Sequence, residues 1–287
     1  MYDLHIHTSH SSDGQYGSGE ILSMARTGNL KGLAFTDHMD TSAVAEGMRL
    51  APAYGLNFIS GVELSTVLYG REYHLLVYGF HPDNGIIKGF LEQHCRAIWD
   101  KALEILNVFG QMGFDIRKED VKAWGLSVPT GVTFLNALIK RNQGDKRLQE
   151  YLCGVKASSP YLNFYKDYAL TDIGTMVRSA LPDLIETMRL LKGAGVFILA
   201  HPGNASKAIL KKLKGECLSG IEAYSTHHSV QVIERLVGVA RELDLLVSAG
   251  SDFHGDLIKP GIHLGDSYGQ PDEELISRLS GMAKIVA

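Results

Sequence analysis

Cysteine is scarce: Cys95, Cys153 and Cys217 are widely spaced in 287 residues and fall in no C-x-x-C pattern. They suggest neither a disulfide framework nor a thiolate zinc site, and thiols in a reducing compartment are the plain reading. No uninterrupted apolar run approaches membrane-spanning length. Met1-Tyr-Asp-Leu-His5-Ile-His7 has neither the basic start nor the apolar stretch of a secretory signal, so a cytoplasmic protein is expected. Excess charge is also missing. A formal net charge of −4 and a pI near 6.3 give no global attraction to nucleic acid or anionic membrane, so any phosphate binding must be local. No internal repeat or low-complexity tract is present.

What is present is an alternation of short apolar runs with helix-length amphipathic stretches, the rhythm of β/α units feeding a mostly parallel sheet or barrel. Seven strands are predicted, at Tyr2–His7, Gly32–Thr36, Asn57–Val62, Tyr73–Phe80, Val196–Ala200, Gly220–Ala223 and Leu245–Ala249. Helices are expected over about 18–27, 41–54, 85–110, 184–192, 205–214 and 230–243. From about Phe114 to Thr175 the strand rhythm lapses, which predicts an inserted, mainly helical subdomain carrying an aromatic cluster at Tyr161, Phe164, Tyr165 and Tyr168. The expected division is a barrel from residues 1–80 and 179–287 and an insertion over 81–178.

The chemistry lies at the strand ends. Residues i and i+2 of a strand share a face, so His5 and His7 point together. His38, Glu63, His201, and Asp252 with His254 follow or close other runs, and His74 lies in one. In a parallel barrel these ends converge on one face. Each histidine taken singly has a bland alternative as a hydrogen-bonded structural residue. A protein gains little, however, by desolvating so many imidazoles and carboxylates together. Nitrogen and oxygen donors without sulfur suit zinc, manganese or iron, and a surplus over four ligands implies more than one ion.

These motifs resemble those of the PHP family, the polymerase and histidinol phosphatase group of metal-dependent phosphoesterases. Asp3-Leu-His5-Ile-His7 through Asp13-Gly, Thr36-Asp37-His38, Gly61-Val62-Glu63, Tyr73-His74, Leu199-Ala-His201-Pro-Gly and Ser251-Asp252-Phe253-His254-Gly appear in the family's order. The resemblance implies an α/β fold, a distorted seven-stranded TIM-like (β/α) barrel, with two or three divalent metal ions. It implies one ion on His5, His7, Glu63 and Asp252, a second on Glu63, His74 and His201, and a third on Asp13, His38 and His254, with Glu63 bridging. The implied activity is hydrolysis of a small phosphate monoester through a metal-bridging hydroxide. The inserted region is similar to the branch acting on nucleoside 3′,5′-bisphosphates. Glu63, Asp252 and His228 are the implied catalytic residues, His228 as a phosphate contact or proton donor; the plain alternative, that it caps or solvates the following helix, stands for His227 and equally for His228. That branch's Arg-Pro-His-like motif is replaced here by Val128-Pro129-Thr130, so Arg178, Lys156 and Arg141 are candidate phosphate contacts, with ordinary surface charge as the alternative. Asp3 and Asp37 are read either as orienting imidazoles or as strand-end and capping groups, while His10, His81, His94 and His263 carry no functional assignment.

Competing readings are a histidinol phosphate phosphatase, a PHP-type nuclease and a metal-binding module without turnover. The acidic balance and the lack of a basic stripe disfavour a nucleic-acid partner, and the full ligand set disfavours lost turnover. A small phosphate ester is the expected partner. Oligomeric state is left open.

Overall fold

In a computed structural model of the protein, which describes residues 1–122, 128–169 and 171–286, seven strands line up in chain order. They are β1 (Tyr2–Ile6), β2 (Gly32–Phe35), β3 (Asn57–Leu68), β4 (Arg71–Tyr78), β5 (Val196–Leu199), β6 (Gly220–Ser225) and β7 (Leu246–Gly250). The sheet curls into a nearly closed barrel. Its seam is bridged by a parallel pairing of Ile6 with Phe253 and by the His7 N–H donating to the Phe253 carbonyl at 2.9 Å.

The helices are α1 (Ser18–Thr27), α2 (Ser42–Leu50), α3 (Gly85–Gln111), α4 (Lys118–Lys122), α5 (Gly131–Arg141), α6 (Lys146–Leu152), α7 (Pro160–Ala169), α8 (Asp172–Ala180), α9 (Leu184–Leu190), α10 (Lys207–Gly215), α11 (Val230–Leu243) and α12 (Glu273–Val286). Several begin where the sequence supplies a cap. Asn84, Asp183, Ser206 and Ser229 each accept a hydrogen bond from a main-chain N–H of the first turn of α3, α9, α10 and α11. The single helix expected over 41–54 is divided into α2 and a 3-10 turn, Ala51–Tyr54, that contains Pro52.

Two expectations of the strand pattern are revised. β3 runs on to Leu68 and turns through Tyr69 and Gly70, both at positive φ (52° and 73°), straight into β4. No helix crosses over between them, so β4 is antiparallel to β3 and β5 in an otherwise parallel barrel. The second revision is α12. Pro271-Asp272-Glu273-Glu274 carries a helix-start signal, and Leu275 and Leu279 bury themselves with Leu4, Ala34, Ile59, Leu76, Tyr78, Val196 and Ile198.

Between the barrel and its outer helices lies the largest apolar cluster, into which α3 inserts Ile87, Phe90, Leu91 and Ile98. Farther along the same helix, Ala102, Ile105 and Phe109 join a separate cluster with Phe134, Leu135, Leu138, Tyr151 and Phe164. One long helix therefore supplies core to the barrel layer in its first half and to the helices α4–α8 in its second. Of the aromatic residues expected to cluster, Phe164 is buried, Tyr161 and Tyr168 pack against this second core, and Tyr165 stays exposed.

Candidate metal centre

β1 alternates as its sequence requires, turning Asp3, His5 and His7 to one side, and all three side chains are buried. On β3 and β4 the antiparallel register opposes Glu63 to Leu76 and Ser65 to His74, which sets Glu63, Glu72 and His74 on a common face. Glu63 sits at the middle of the constellation. Its Oε1 faces His74 Nδ1 at 2.9 Å and His201 Nε2 at 3.3 Å. Its Oε2 faces His5 Nε2 at 3.2 Å, His7 Nε2 at 3.1 Å and His38 Nδ1 at 3.1 Å.

Asp252 is divided in the same way. Oδ1 lies 3.3 Å from His5 Nε2, 3.1 Å from His7 Nε2 and 3.5 Å from His254 Nδ1. Oδ2 receives His227 Nε2 at 2.6 Å and the Lys259 ammonium. Asp13 Oδ2 approaches His38 Nε2 at 3.5 Å and His254 Nε2 at 3.8 Å, while Ser11 Oγ donates to Asp13 Oδ1.

Four sets result whose donor atoms lie within 4.8 Å of one another: His5, His7, Glu63 and Asp252; His7, Asp13, His38 and His254; His38, Glu63 and His74; and His201, His227 and Asp252. The donors fit a divalent cation. His5 Nε2, His7 Nε2, Glu63 Oε2 and Asp252 Oδ1 are buried and have no hydrogen-bond partner among the described residues, although they crowd to 3.1–3.3 Å. Lone pairs that converge in a buried space without sharing protons are costly unless a cation joins them. Two of these residues also hold backbone conformations uncommon for side chains larger than glycine, His201 at φ 26° and Asp252 at φ 54°.

The electrostatics follow from burial set against close opposite charge. Burial alone would neutralise His7, but Asp252 and Glu63 outweigh it and raise its pKa to about 9. His74 rises to about 10, against burial, through Glu63 and Glu72. Glu63 is held well below the usual carboxylate range despite burial, by His5, His38 and His74. In His38 burial dominates and the pKa falls to about 4.

A surrounding layer fixes these groups. Glu222 on β6, fully buried, accepts His5 Nδ1–H at Oε1 (3.0 Å) and the His201 main-chain N–H at Oε2 (2.9 Å). The first bond leaves the His5 Nε2 lone pair aimed at the cluster. Asp3 accepts from Ser251 N and Oγ and from Gly265 N, and Asp37 accepts from Thr8 N and Oγ1. Both carboxylates tie loops together, and their hydrogen bonds go to main chain and hydroxyls instead of imidazole rings. Glu72 accepts from His74 Nε2 at 3.2 Å.

The remaining sequence candidates separate. His227, expected to cap a helix, points at Asp252, because the capping of α11 is done by Ser229. His228 is buried, its Nδ1–H donating to the Ala223 carbonyl at 2.9 Å, its ring against Gly203 and its Nε2 without a hydrogen-bond partner among the described residues. Arg178 on α8 and Tyr165 of α7 both lie near Glu72, so the helical region reaches the rim beside His74. Ser12 adds a hydrogen bond to Thr130, at the start of α5 (3.0 Å). Lys156 pairs with Asp167 at 2.6 Å and Arg141 pairs with Asp120, both within the helical region. His81, His94 and His263 contact Asp83, Phe90 and Asp266.

Sequence reasoning missed Glu222, Glu72, His227 and Lys259. A carboxylate inside the apolar run Gly220-Ile-Glu222-Ala was the available signal for the first, and two-residue spacing from His74 for the second. Lys259 lies in a loop where nothing marks it.

Residues 3–87 match the PHP domain family. Over 88–92% of its length the chain is similar to curated proteins. It is 29% identical over 275 residues to the 5′-3′ exoribonuclease Rnm of Escherichia coli K12, covering 92% of this chain and 88% of that one. It is 24% identical to the phosphoribosyl 1,2-cyclic phosphate 1,2-diphosphodiesterase of Eggerthella lenta, covering 88% and 94%. It is 25% identical to the 3′,5′-nucleoside bisphosphate phosphatase of Chromobacterium violaceum, covering 88% and 86%. A solved structure assigned as a metal-dependent phosphoesterase, from Bifidobacterium adolescentis, superposes with a TM-score of 0.77 at 26% identity over 98% of this chain and 96% of that one. No described helix is long and apolar enough to cross a membrane.

Proposed function

We propose that this metal-dependent hydrolase, whose residues 3–87 match the PHP domain family, hydrolyses a small phosphate monoester, a nucleotide or nucleoside 3′,5′-bisphosphate. The observation that carries the reading is the division of Glu63, with Oε1 toward His74 and His201 and Oε2 toward His5, His7 and His38. One carboxylate shared in this way suits two cations held side by side. His5, His7, Glu63 and Asp252 would hold one, Glu63 Oε1 with His74 and His201 the second, and Asp13, His38 and His254, which gather with His7, a third, with manganese, zinc or iron as the matching metals. Bound there, such ions would acidify an attacking water and neutralise phosphoryl charge.

The chain's own contribution is orientation. Glu222 sets the His5 tautomer, Glu72 steadies the outer nitrogen of His74, and the carboxylates of Glu63 and Asp252 are held in the ionised form by the cations around them. The rim beside His74 is where a substrate group beyond the reacting phosphate would meet the helical region, with Arg178 close enough to act on Glu72 there. Lys156 and Arg141, committed to carboxylates of the helical region, are not retained as phosphate contacts. His228 is retained only as support for the loop after β5.

Phosphate release by manganese-loaded protein tests the proposal. The panel comprises nucleotides, nucleoside 3′,5′-bisphosphates, histidinol phosphate, a ribose cyclic phosphate and a 5′-phosphorylated oligoribonucleotide. Selective release from a small monoester, abolished by chelation and by Asp252→Asn, is the expected result. Preference for the oligonucleotide would move the assignment to the nuclease activity of the Escherichia coli relative, and preference for the cyclic ester to that of the Eggerthella one.

A further inference from the structure

The cluster is open on one side only in part. His5, His7 and Glu63 are sealed, with side-chain exposures of 0%, 0% and 1%. His74, His201, Lys259 and His227 are exposed by 22%, 20%, 28% and 41%. Of the side chains around the centre these four, together with Glu72 at 23%, are the ones most open to a ligand. Three are imidazoles; Lys259 adds a permanent positive charge.

Its position is built. The loop after β7 folds back with the Lys259 main-chain N–H on the Gly255 carbonyl (2.9 Å), and Gln15 anchors the turn by accepting from Leu257 N at 3.0 Å. From there Lys259 Nζ reaches Asp252 Oδ2 and lies 3.4 Å from His227 Nε2 and 3.5 Å from the Asp252 carbonyl oxygen. Asp252 Oδ1 is turned the other way, toward His5 and His7. Lys259 thus approaches the outer edge of the carboxylate, beside His227 and away from the oxygen that faces His5 and His7. An ammonium has three N–H donors, so contact with Asp252 leaves others for a ligand oxygen.

We propose that Lys259, with His227 beside it, forms an anion subsite that makes the centre prefer dianionic phosphate monoesters to monoanionic diesters. The inference rests on the phosphoesterase reading above and adds its selectivity, on which the relatives' activities divide. A monoester carries one more negative charge than a diester near neutral pH. One fixed charge a few ångströms away, after partial screening, discriminates them by roughly tenfold to a hundredfold. A lysine suits this task because it acts as a point charge and does not demand one bidentate geometry.

The test compares para-nitrophenyl phosphate with bis(para-nitrophenyl) phosphate, using the manganese-loaded parent, Lys259→Gln and Lys259→Arg, with metal content and melting temperature measured on each. Lys259→Gln should lower monoester kcat/KM roughly tenfold to a hundredfold, mainly through KM, and change diester turnover less than about threefold; Lys259→Arg should keep the parent ratio. Equal losses on both esters, or a fall in metal content at an unchanged ratio, would overturn the inference and leave Lys259 as a support for Asp252. A parent that turns over neither ester and releases phosphate from no member of the panel above overturns the phosphoesterase reading itself, and the inference with it; if only panel substrates react, the same Lys259 comparison is made between a panel monoester and the cyclic diester.

Discussion

Replacing Glu222 by glutamine exchanges one oxygen for an amino group at a closely packed point of the structure. The carboxylate serves two donors at once, His5 Nδ1–H at 3.0 Å and the His201 main-chain N–H at 2.9 Å. A glutamine of the same shape offers one acceptor oxygen and one amino group. If its oxygen turns to His5, the amino group confronts the His201 N–H and two buried donors face each other. If its oxygen turns to His201, His5 must accept at Nδ1 and carry its proton on Nε2, the nitrogen that faces Glu63 and Asp252 at 3.2 and 3.3 Å. Neither arrangement relaxes by movement, since an added Cβ on Gly250 would come within 2.3 Å of His5 Cβ and 2.6 Å of Glu222 Oε1. A buried donor left without a partner costs about 1–3 kcal/mol, which matches the roughly tenfold to hundredfold loss of metal affinity typical when a group behind a ligand is changed. Manganese titration by calorimetry on chelator-stripped protein should therefore show Glu222→Gln binding about ten to a hundred times more weakly, with turnover recovering in part as metal is raised. Parent affinity together with parent turnover would refute the reasoning.

Acidity gives a second expectation. In the metal-free protein His7 and His74, raised to about 9 and about 10, stabilise the fold as imidazolium. That contribution is full below the unfolded value of about 6.5 and is lost as pH rises through 9 to 10. Glu63, held low, contributes above the ordinary carboxylate range and loses its contribution as pH falls. Thermal melts in EDTA should therefore weaken from neutral to alkaline pH, and desalted metal-loaded protein should not follow, because its ligands have already given up their protons. A metal-free melting temperature that climbs over this range would count against the assignment. Gly250→Ala should destabilise by about 1–3 kcal/mol or more through overpacking against His5, seen as a lower melting temperature in both metal-free and loaded protein; an unchanged melt would show that the barrel seam is looser than described.

The donor residues were legible because their signals are local. A histidine or carboxylate at the end of an apolar run needs only strand alternation and barrel topology to be placed, and the structure brings His5 and His7 to Glu63 and Asp252, with His201 on the other oxygen of Glu63. Residues whose roles depend on a partner far along the chain were harder to read. Glu222 serves His5 across 217 residues, and Lys259 acquires meaning only when its loop folds back on Asp252. The two adjacent histidines show the same limit. Sequence cannot tell which of His227 and His228 faces inward, because the choice is made by the turn between β6 and α11, where His228 N bonds to the Ser225 carbonyl and Ser229 takes the cap.

The reversed strand resolves one further point about why the centre can form at all. In a wholly parallel barrel a ligand must stand near a strand's carboxyl end, yet His74 is near the beginning of β4. Had β4 run parallel, His74 would have lain toward the opposite end of the barrel, beside the cluster closed by α12. The tight turn at Tyr69-Gly70 inverts it, so the start of β4 comes to the end where the other strands finish, and His74 stands across from Ser65, two residues beyond Glu63. The same inversion carries Glu72 to the rim, where Tyr165 and Arg178 of the helical region meet it. A hairpin in place of a crossover helix thus brings a donor to the centre and links the centre to the helices that border its mouth.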